Sequence, residues 1–298
     1  FLNNQVLTVF TRHQLLLKLQ LSFTEFSGLD SVTLSRWSTG KTTPSFYRQL
    51  LIAHVANKID VYLSWEKLEK TAFTSNKSYL DYTSQFNNPY SSIMNIKKKY
   101  TINYSFKKNY KCREIYHYAL KIKSIRELSS RLDNNKYYLD VNVFHISSNS
   151  GSESVIYFYD DCKYMYNLTN ITYLKKNQIY PDNLVWFGLA YQQSSIHFEI
   201  LAGLAFNHLI RKYAQRAHAI FTVRGKKSML FFEKIGATRL AIDNQNDEYG
   251  KIYLYTIQIK KIFDIAEVKN LVLTSDTLYQ ELIPNLQTYK ASTKNFIN

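Results

Sequence analysis

Glycine, proline and cysteine are all scarce in this sequence of 298 residues, which has 8 glycines, 4 prolines and 2 cysteines. No two glycines lie close enough together for a G-x-G-x-x-G or a G-x-x-x-x-G-K-[ST] motif, so both of these phosphate-binding loops are excluded. Cys112 and Cys162 form neither a disulfide framework nor a zinc-binding C-x-x-C pair. A reducing, cytoplasmic compartment is the simplest fit to this cysteine content.

Long apolar runs are also absent. The sequence contains no stretch of about 18 apolar residues, the length that a membrane-spanning helix needs. The first residue, Phe1, is not a start residue, and the residues after it carry no signal-peptide pattern. The sequence is 45% hydrophobic, which is enough for a sizeable core, and its 25 tyrosines and 18 phenylalanines are unusually many. The length allows one large domain or two ordinary ones.

Positive charge is what the sequence has in excess. Lysine and arginine number 38 against 23 aspartates and glutamates, which gives a net charge of +15. Such an excess is typical of nucleic-acid-binding proteins, although it also occurs where charge serves only solubility. The most basic stretch, residues 97–126, interleaves lysines with aromatic residues. It is either a segment that follows a nucleic-acid backbone or a solvated connector.

The composition changes along the chain in a way that predicts an α/β protein overall. Residues 1–60 predict a small all-α domain, and residues 61–110 predict a basic, aromatic-rich linker. Residues 111–265 alternate helix and strand patterns, which predicts an α/β (or α+β) domain with a mixed sheet. Residues 266–298 predict a helical tail that frays.

Within residues 111–265 the apolar patterns predict individual elements. Helices are predicted at 118–132, 198–215 and 226–235, and strands at 137–146, 154–159, 183–191, 219–223, 238–243 and 250–259. The apolar run at 183–191 is long enough to be a central strand. The last two strands predict a hairpin.

The N-terminal region predicts four helices, the second at 23–28, the third at 31–38 and the fourth at 45–56. The sequence TLSRW ending at Trp37, followed by Gly40-Lys41 and Pro44-Ser45, resembles the Cro/CI-type (phage-repressor-like) helix-turn-helix family. The resemblance implies that the third helix lies in the major groove of double-stranded DNA and that the protein is a homodimer.

The resemblance also implies roles for single residues. Those implied to face DNA are Ser31, Val32, Thr33, Arg36, Lys41, Thr42 and Thr43. Arg36 would form a bidentate contact with guanine, and the residues after Gly40 would lie near phosphates. Leu34 and Trp37 would face the small core. The alternative is a helical bundle that only packs or binds protein.

Residues 184–240 resemble the GNAT (Gcn5-related) N-acyltransferase fold. Here residues 184–191 would be the central strand, 200–205 (ILAGLA) the pyrophosphate-binding turn, and 232–237 (FEKIGA) the closing motif. The resemblance implies acetyl-CoA or another acyl-CoA as the ligand. The residues implied to bind it are Leu201, Ala202, Gly203, Leu204 and Ala205.

Several residues depart from the GNAT pattern. Ile200 stands where arginine or glutamine is usual, and Phe232 stands where a tyrosine donates a proton to the leaving thiolate. For deprotonation of an amine, His197 and Glu199 are the nearest candidate catalytic residues, with Tyr191 as a further possibility. No metal site is expected.

Together these patterns predict a sequence-specific DNA-binding transcriptional regulator whose GNAT-like domain senses an acyl-CoA or a similar small molecule, or dimerises. No cofactor is expected for the DNA binding itself. The alternative is an active N-acyltransferase, using acetyl-CoA or another acyl-CoA, with an attached DNA-binding module. A third interpretation is a phage or mobile-element accessory protein that binds DNA without sequence preference.

Overall fold

A computed structural model of the chain describes residues 1–68, 76–87, 100–111, 123–134, 137–148, 151–169, 171–242 and 252–283. The N-terminal helices are α1 (Arg12–Ser22), α2 (Ser31–Ser38), α3 (Phe46–Val55) and α4 (Ile59–Leu68). A capping box formed by Thr11 and Gln14 begins α1, and the Asp30 carboxylate caps α2 by accepting the Thr33 N–H at 2.6 Å.

The helix predicted at 23–28 is a single 3₁₀ turn, Thr24–Phe26. Phe23 is in the extended conformation, which ends α1. Phe23 and Phe26 are both buried, so the segment turns the two rings inward over only a few residues. The predicted order of these helices is therefore observed, with the short second helix reduced to one 3₁₀ turn.

The segment predicted as a linker contains regular structure. Besides the last part of α4, it holds helix α5 (Lys77–Ser84) and strand β1 (Tyr100–Tyr110). Strand β1 is at one edge of the sheet, where lysines such as Lys107 and Lys108 are common because charge discourages further strand pairing. Residues 97–99 and 112–122 of the basic stretch lie outside the described residues.

The rest of the chain forms a mixed sheet with helices packed on it. The remaining elements are α6 (Lys123–Asn134), β2 (Leu139–Ser148), β3 (Gly151–Tyr159), α7 (Lys163–Thr169), α8 (Thr172–Lys176), β4 (Leu184–Tyr191), α9 (Ser195–Lys212), β5 (His218–Arg224), α10 (Lys226–Lys234), β6 (Thr238–Ile242), β7 (Ile252–Gln258), α11 (Ile259–Phe263) and α12 (Ala266–Leu282). In the described part of the chain the seven strands have the order β1-β2-β3-β4-β5-β7-β6. The pair β4–β5 is parallel and the other pairs are antiparallel. The predicted α/β class is confirmed.

The N-terminal helices and the sheet share one hydrophobic core. The Arg211 guanidinium of α9 lies 2.5 Å from Asp276 of α12 and 2.7 Å from Asp60 of α4. The side chains of Arg211 and Asp276 are only 6% exposed, so this ion pair is well shielded from water. Helix α12 was predicted to begin a tail, but the structure places it inside the core. Residues 284–298 lie outside the described residues.

None of the helices among the described residues is both long and apolar enough to cross a membrane.

Candidate functional site

Strands β4 and β5 separate halfway along their length. Their parallel pairing runs from Leu184 opposite His218 to Phe187 opposite Phe221, and it ends there although β4 continues to Tyr191. On its other side β4 stays paired with β3, with one extra residue between Phe187 and Ala190. Such a bulge bends the strand. Among the described residues, no strand therefore pairs with the backbone groups of residues 188–191 that face β5.

A cavity of about 490 Å³ lies where the two strands separate. Its walls come from the middle of β3, from the ends of β4 and β5, and from helices α5, α9, α10, α11 and α12. Most of its lining is aromatic or aliphatic, and a smaller number of polar groups, including Gln192, Thr222, Arg224 and Ser228, also face it. This combination of apolar walls and a few polar groups is typical of a small-molecule site.

Two helices begin at the ends of β4 and β5, beside the cavity. Ser194 caps α9 by accepting the His197 N–H at 3.1 Å, and Gly225, with φ of 86°, precedes α10. Neither helix has an acidic residue in its first turn. Arg224 precedes Gly225, and Lys226 begins α10. Helix N-termini attract anions, and these cations increase that attraction.

Helix α5 lies across the cavity and connects α9 with α10. The Tyr82 ring stacks on Phe231 of α10 with centroids 4.4 Å apart, and the Phe86 ring stacks on Phe198 of α9 at 5.0 Å. The Asn87 side chain accepts the Ser195 N–H at 2.9 Å. Both Tyr82 and Phe86 line the cavity. This arrangement could not be predicted, because α5 lies in the segment whose composition predicted a linker.

The turn predicted at 200–205 is not a turn. These residues lie inside α9, where backbone amides donate to the carbonyl four residues earlier and cannot hold a phosphate. Gly203 serves close packing instead, since a Cβ there would lie 2.5 Å from the Ser275 hydroxyl. Ala202 and Ala205 line the cavity with their side chains, whereas Leu201 and Leu204 are buried elsewhere in the core.

The two predicted catalytic residues do not line the cavity. His197 is only 4% exposed, and its Nδ1 lies 2.9 Å from the Ser154 hydroxyl, which also accepts the Gln193 N–H. This arrangement holds the loop between β4 and α9. Glu199 lies on a more exposed face of α9, and desolvation raises the pKa of its carboxyl.

Phe232, which stands at the position of the expected tyrosine, does line the cavity. Two tyrosine rings flank it, Tyr82 at 6.3 Å and Tyr255 at 5.9 Å between centroids. The Tyr255 hydroxyl donates to Glu233 at 2.8 Å, which together with burial raises the pKa of Tyr255 to about 12. Of these two tyrosines, Tyr82 lines the cavity and Tyr255 does not.

The residues predicted to face DNA surround α2. Most of them are exposed, namely Ser31, Val32, Arg36, Lys41, Thr42 and Thr43, and Thr33 is half-buried. Leu34 and Trp37 are buried, as predicted. In the described residues, no group of three or more histidine, cysteine, aspartate or glutamate side chains is placed to hold a metal ion.

No protein-family model and no curated protein matches the sequence. Among solved structures, FeeM, an N-acyl amino acid synthase from uncultured soil microbes, is 9% identical over 53% of this chain and 92% of its own, with a TM-score of 0.34. The spermidine/spermine N-acetyltransferase SpeG from Vibrio cholerae is 10% identical over 53% and 95%, with a TM-score of 0.30. An aminoglycoside N(6')-acetyltransferase from Legionella pneumophila is 11% identical over 53% and 93%, also with a TM-score of 0.30.

Proposed function

We propose that this protein is an N-acyltransferase of the GNAT type that takes its acyl group from an acyl-CoA thioester. The observation that carries the proposal is the separation of β4 from β5 after Phe187 and Phe221, with a cavity at that point. The order of elements from β4 to β6 also agrees with the GNAT resemblance of residues 184–240.

The free edge of β4 suits the pantetheine arm of coenzyme A. That arm contains two amide groups, and an extended amide chain pairs readily with an unpaired strand edge. The edge at residues 188–191 faces the cavity, so a pantetheine arm there would replace the pairing that β5 no longer provides. The phosphates would then lie near the N-termini of α9 and α10, beside Arg224 and Lys226.

The leaving thiolate needs a proton that Phe232 cannot supply. Tyr82 lines the same cavity, and its phenol is protonated at neutral pH like that of any tyrosine. Burial raises its pKa further. We assign Tyr82 as the proton donor. In the reaction the amine nitrogen forms a bond to the thioester carbonyl carbon, the carbon–sulfur bond breaks, and the sulfur takes the Tyr82 proton. Tyr82 recovers a proton from water.

The attacking amine has to be neutral, so a base has to accept its proton. We retain Glu199 for this role, with solvent water carrying the proton to it, because it does not line the cavity but lies near Tyr79, which does. Burial, and to a smaller extent the charge of Glu199, raises the pKa of Tyr79. His197 is not retained as a base, since it is buried against Ser154 outside the cavity.

The test is release of free thiol by the full chain supplied with acyl-CoA and a panel of primary amines. The expected result is release that requires both substrates and that is lost in Ala190→Phe, which places a ring in the mouth of the cavity. Ala266→Phe adds the same ring at an exposed position outside the cavity and should remain active. Failure of the chain to bind any acyl-CoA would refute the proposal.

DNA binding is a second candidate, favoured by the exposure of Arg36 and Lys41 beside the buried Leu34 and Trp37. We infer a duplex-binding surface on α2, used by a homodimer. Selection of bound duplexes from a random pool tests this surface. Arg36→Ala should remove the sequence preference and leave weak non-specific binding. An undiminished preference in Arg36→Ala would refute the groove assignment.

A further inference from the structure

On one wall of the cavity, every side chain contributed by the described residues is apolar. Helix α9 contributes Phe198, Ala202, Ala205 and Phe206 to it, and residues 262–271 of α11 and α12 contribute aliphatic side chains alone. The polar side chains that face the cavity come from the strand ends and from α5 and α10. The part of a ligand that lies against α9, α11 and α12 therefore contacts only apolar side chains of the described residues. This wall suits a hydrocarbon chain.

The cavity is also far too large for an acetyl group. An apolar protein cavity of about 150 Å³ holds a benzene molecule with its six carbons. The cavity at β4 and β5 measures about 490 Å³. The pantetheine arm at β4 takes up part of this volume, but an acetyl group at its end has only two carbons and would not cover the apolar wall of α9, α11 and α12.

Small side chains on α9 create the space at this wall. Gly203 allows α12 to approach α9 closely, and Asn207 then bonds across to the Val272 carbonyl at 2.9 Å. The neighbouring Ala202 and Ala205 face the cavity instead. A leucine at either position would extend into the cavity, whereas alanine leaves it open. The fixed contact of the two helices keeps the wall from collapsing onto this space.

We propose that the cavity holds a long acyl chain against α9, α11 and α12, so that the acyl donor is a medium- or long-chain acyl thioester and not acetyl-CoA. This inference rests on the proposed acyltransferase function, because it names the substrate class of the same site. The acyl chain would lie along the wall at Ala202 and Ala205, and its thioester would lie at the free edge of β4.

The experiment measures binding of acetyl-, octanoyl- and dodecanoyl-CoA to the full chain by calorimetry. Each pair of methylene groups that enters an apolar site strengthens binding by roughly tenfold. We therefore expect octanoyl-CoA to bind at least about 100-fold more tightly than acetyl-CoA. Equal affinity for the three donors would overturn the inference and leave the proposed function standing. Absence of binding by all three would overturn both.

Two substitutions test where the acyl chain lies within the cavity. Ala205→Leu and Ala202→Leu should each weaken octanoyl-CoA binding by about tenfold or more while acetyl-CoA binding changes by about twofold at most. Ala266→Leu adds the same side chain at an exposed position of α12 and should keep the wild-type preference. Either alanine variant suffices if the other fails to fold. A chain-length preference that survives in a folded Ala205→Leu or Ala202→Leu protein, or that is also lost in Ala266→Leu, would overturn the inference.

Discussion

Phe187 of β4 and Phe221 of β5 are the last residues that pair across the two parallel strands, and their rings stack with centroids 4.6 Å apart and 7° between their planes. The stacked rings form the closed end of the gap between the strands, since both line the cavity. Beyond this pair, β4 contains one extra residue relative to β3 and no longer pairs with β5. The site thus begins where regular pairing ends.

Tyr82→Phe tests the proton donor. The variant keeps the ring that stacks on Phe231, so its unfolding midpoint should not change. Turnover should fall by about 10²-fold or more, because general acid catalysis typically contributes that much, while KM stays the same. Tyr255→Phe is the matched control, since its ring also flanks Phe232 but its hydroxyl is bound to Glu233. Equal turnover in Tyr82→Phe and the wild type would remove Tyr82 from the mechanism.

Lys226→Gln tests the anion-binding end of the site. Lys226 is exposed at the start of α10, where a cation opposes the helix dipole, so the substitution should not lower stability. Affinity for acyl-CoA should fall by about two- to fivefold, as expected for one exposed charge contact. Affinity for a short acyl thioester without phosphates should not change. Lys176→Gln removes the same charge from an exposed position on α8, and an equal loss there would mean that the effect is long-range and not local.

Gly203→Ala tests the packing of α9 on α12. The added methyl group would lie 2.5 Å from the Ser275 hydroxyl and 2.7 Å from the Leu271 carbonyl oxygen, so one helix must shift. We expect the free energy of unfolding in urea to fall by about 1–3 kcal/mol. Gly28→Ala is the control, because no atom lies within 4 Å of its added methyl group, and it should be neutral or slightly stabilising. Equal stabilities of the two variants would contradict the close packing at Gly203.

His208 should make the protein less stable in mild acid. It is fully buried, and desolvation, with smaller contributions from Lys212 and Arg211, lowers its pKa well below the usual value. Below about pH 6.5 the unfolded chain therefore binds a proton that the folded protein does not, and stability falls as the pH falls. His208→Asn should reduce this slope by about 1.4 kcal/mol per pH unit, measured by urea unfolding between pH 5 and 6.5. An unchanged slope in a folded His208→Asn protein would contradict this prediction.

Elements with a strong apolar pattern could be predicted from the sequence. The run ending at Tyr191 is β4, and the patterns after it correspond to α9, β5 and α10. The strand β1 could not be predicted in this way, because at the sheet edge only Ile102 and Tyr104 of its residues are buried. Its lysines and aromatic residues favoured a linker.

The position of the site was harder to predict than its fold. Helix α9 begins at Ser195, capped by Ser194, whereas the pattern of small residues suggested a turn at Gly203. Small residues serve both phosphate-binding turns and close helix packing, and here the partner helix α12, distant in sequence, decides between them. The place of Tyr82 at the cavity could not be predicted for a similar reason, since it packs there against Phe231, which is distant in sequence.

Hydrogen exchange of the full chain with and without octanoyl-CoA tests the central claim most directly. If the ligand pairs with the free edge of β4 and its phosphates lie at the two helix N-termini, the amides of residues 188–197 and 224–228 should exchange more slowly in its presence. The amides of α1 to α3 should be unchanged. Binding without protection at 188–191, or protection confined to the N-terminal helices, would contradict the account.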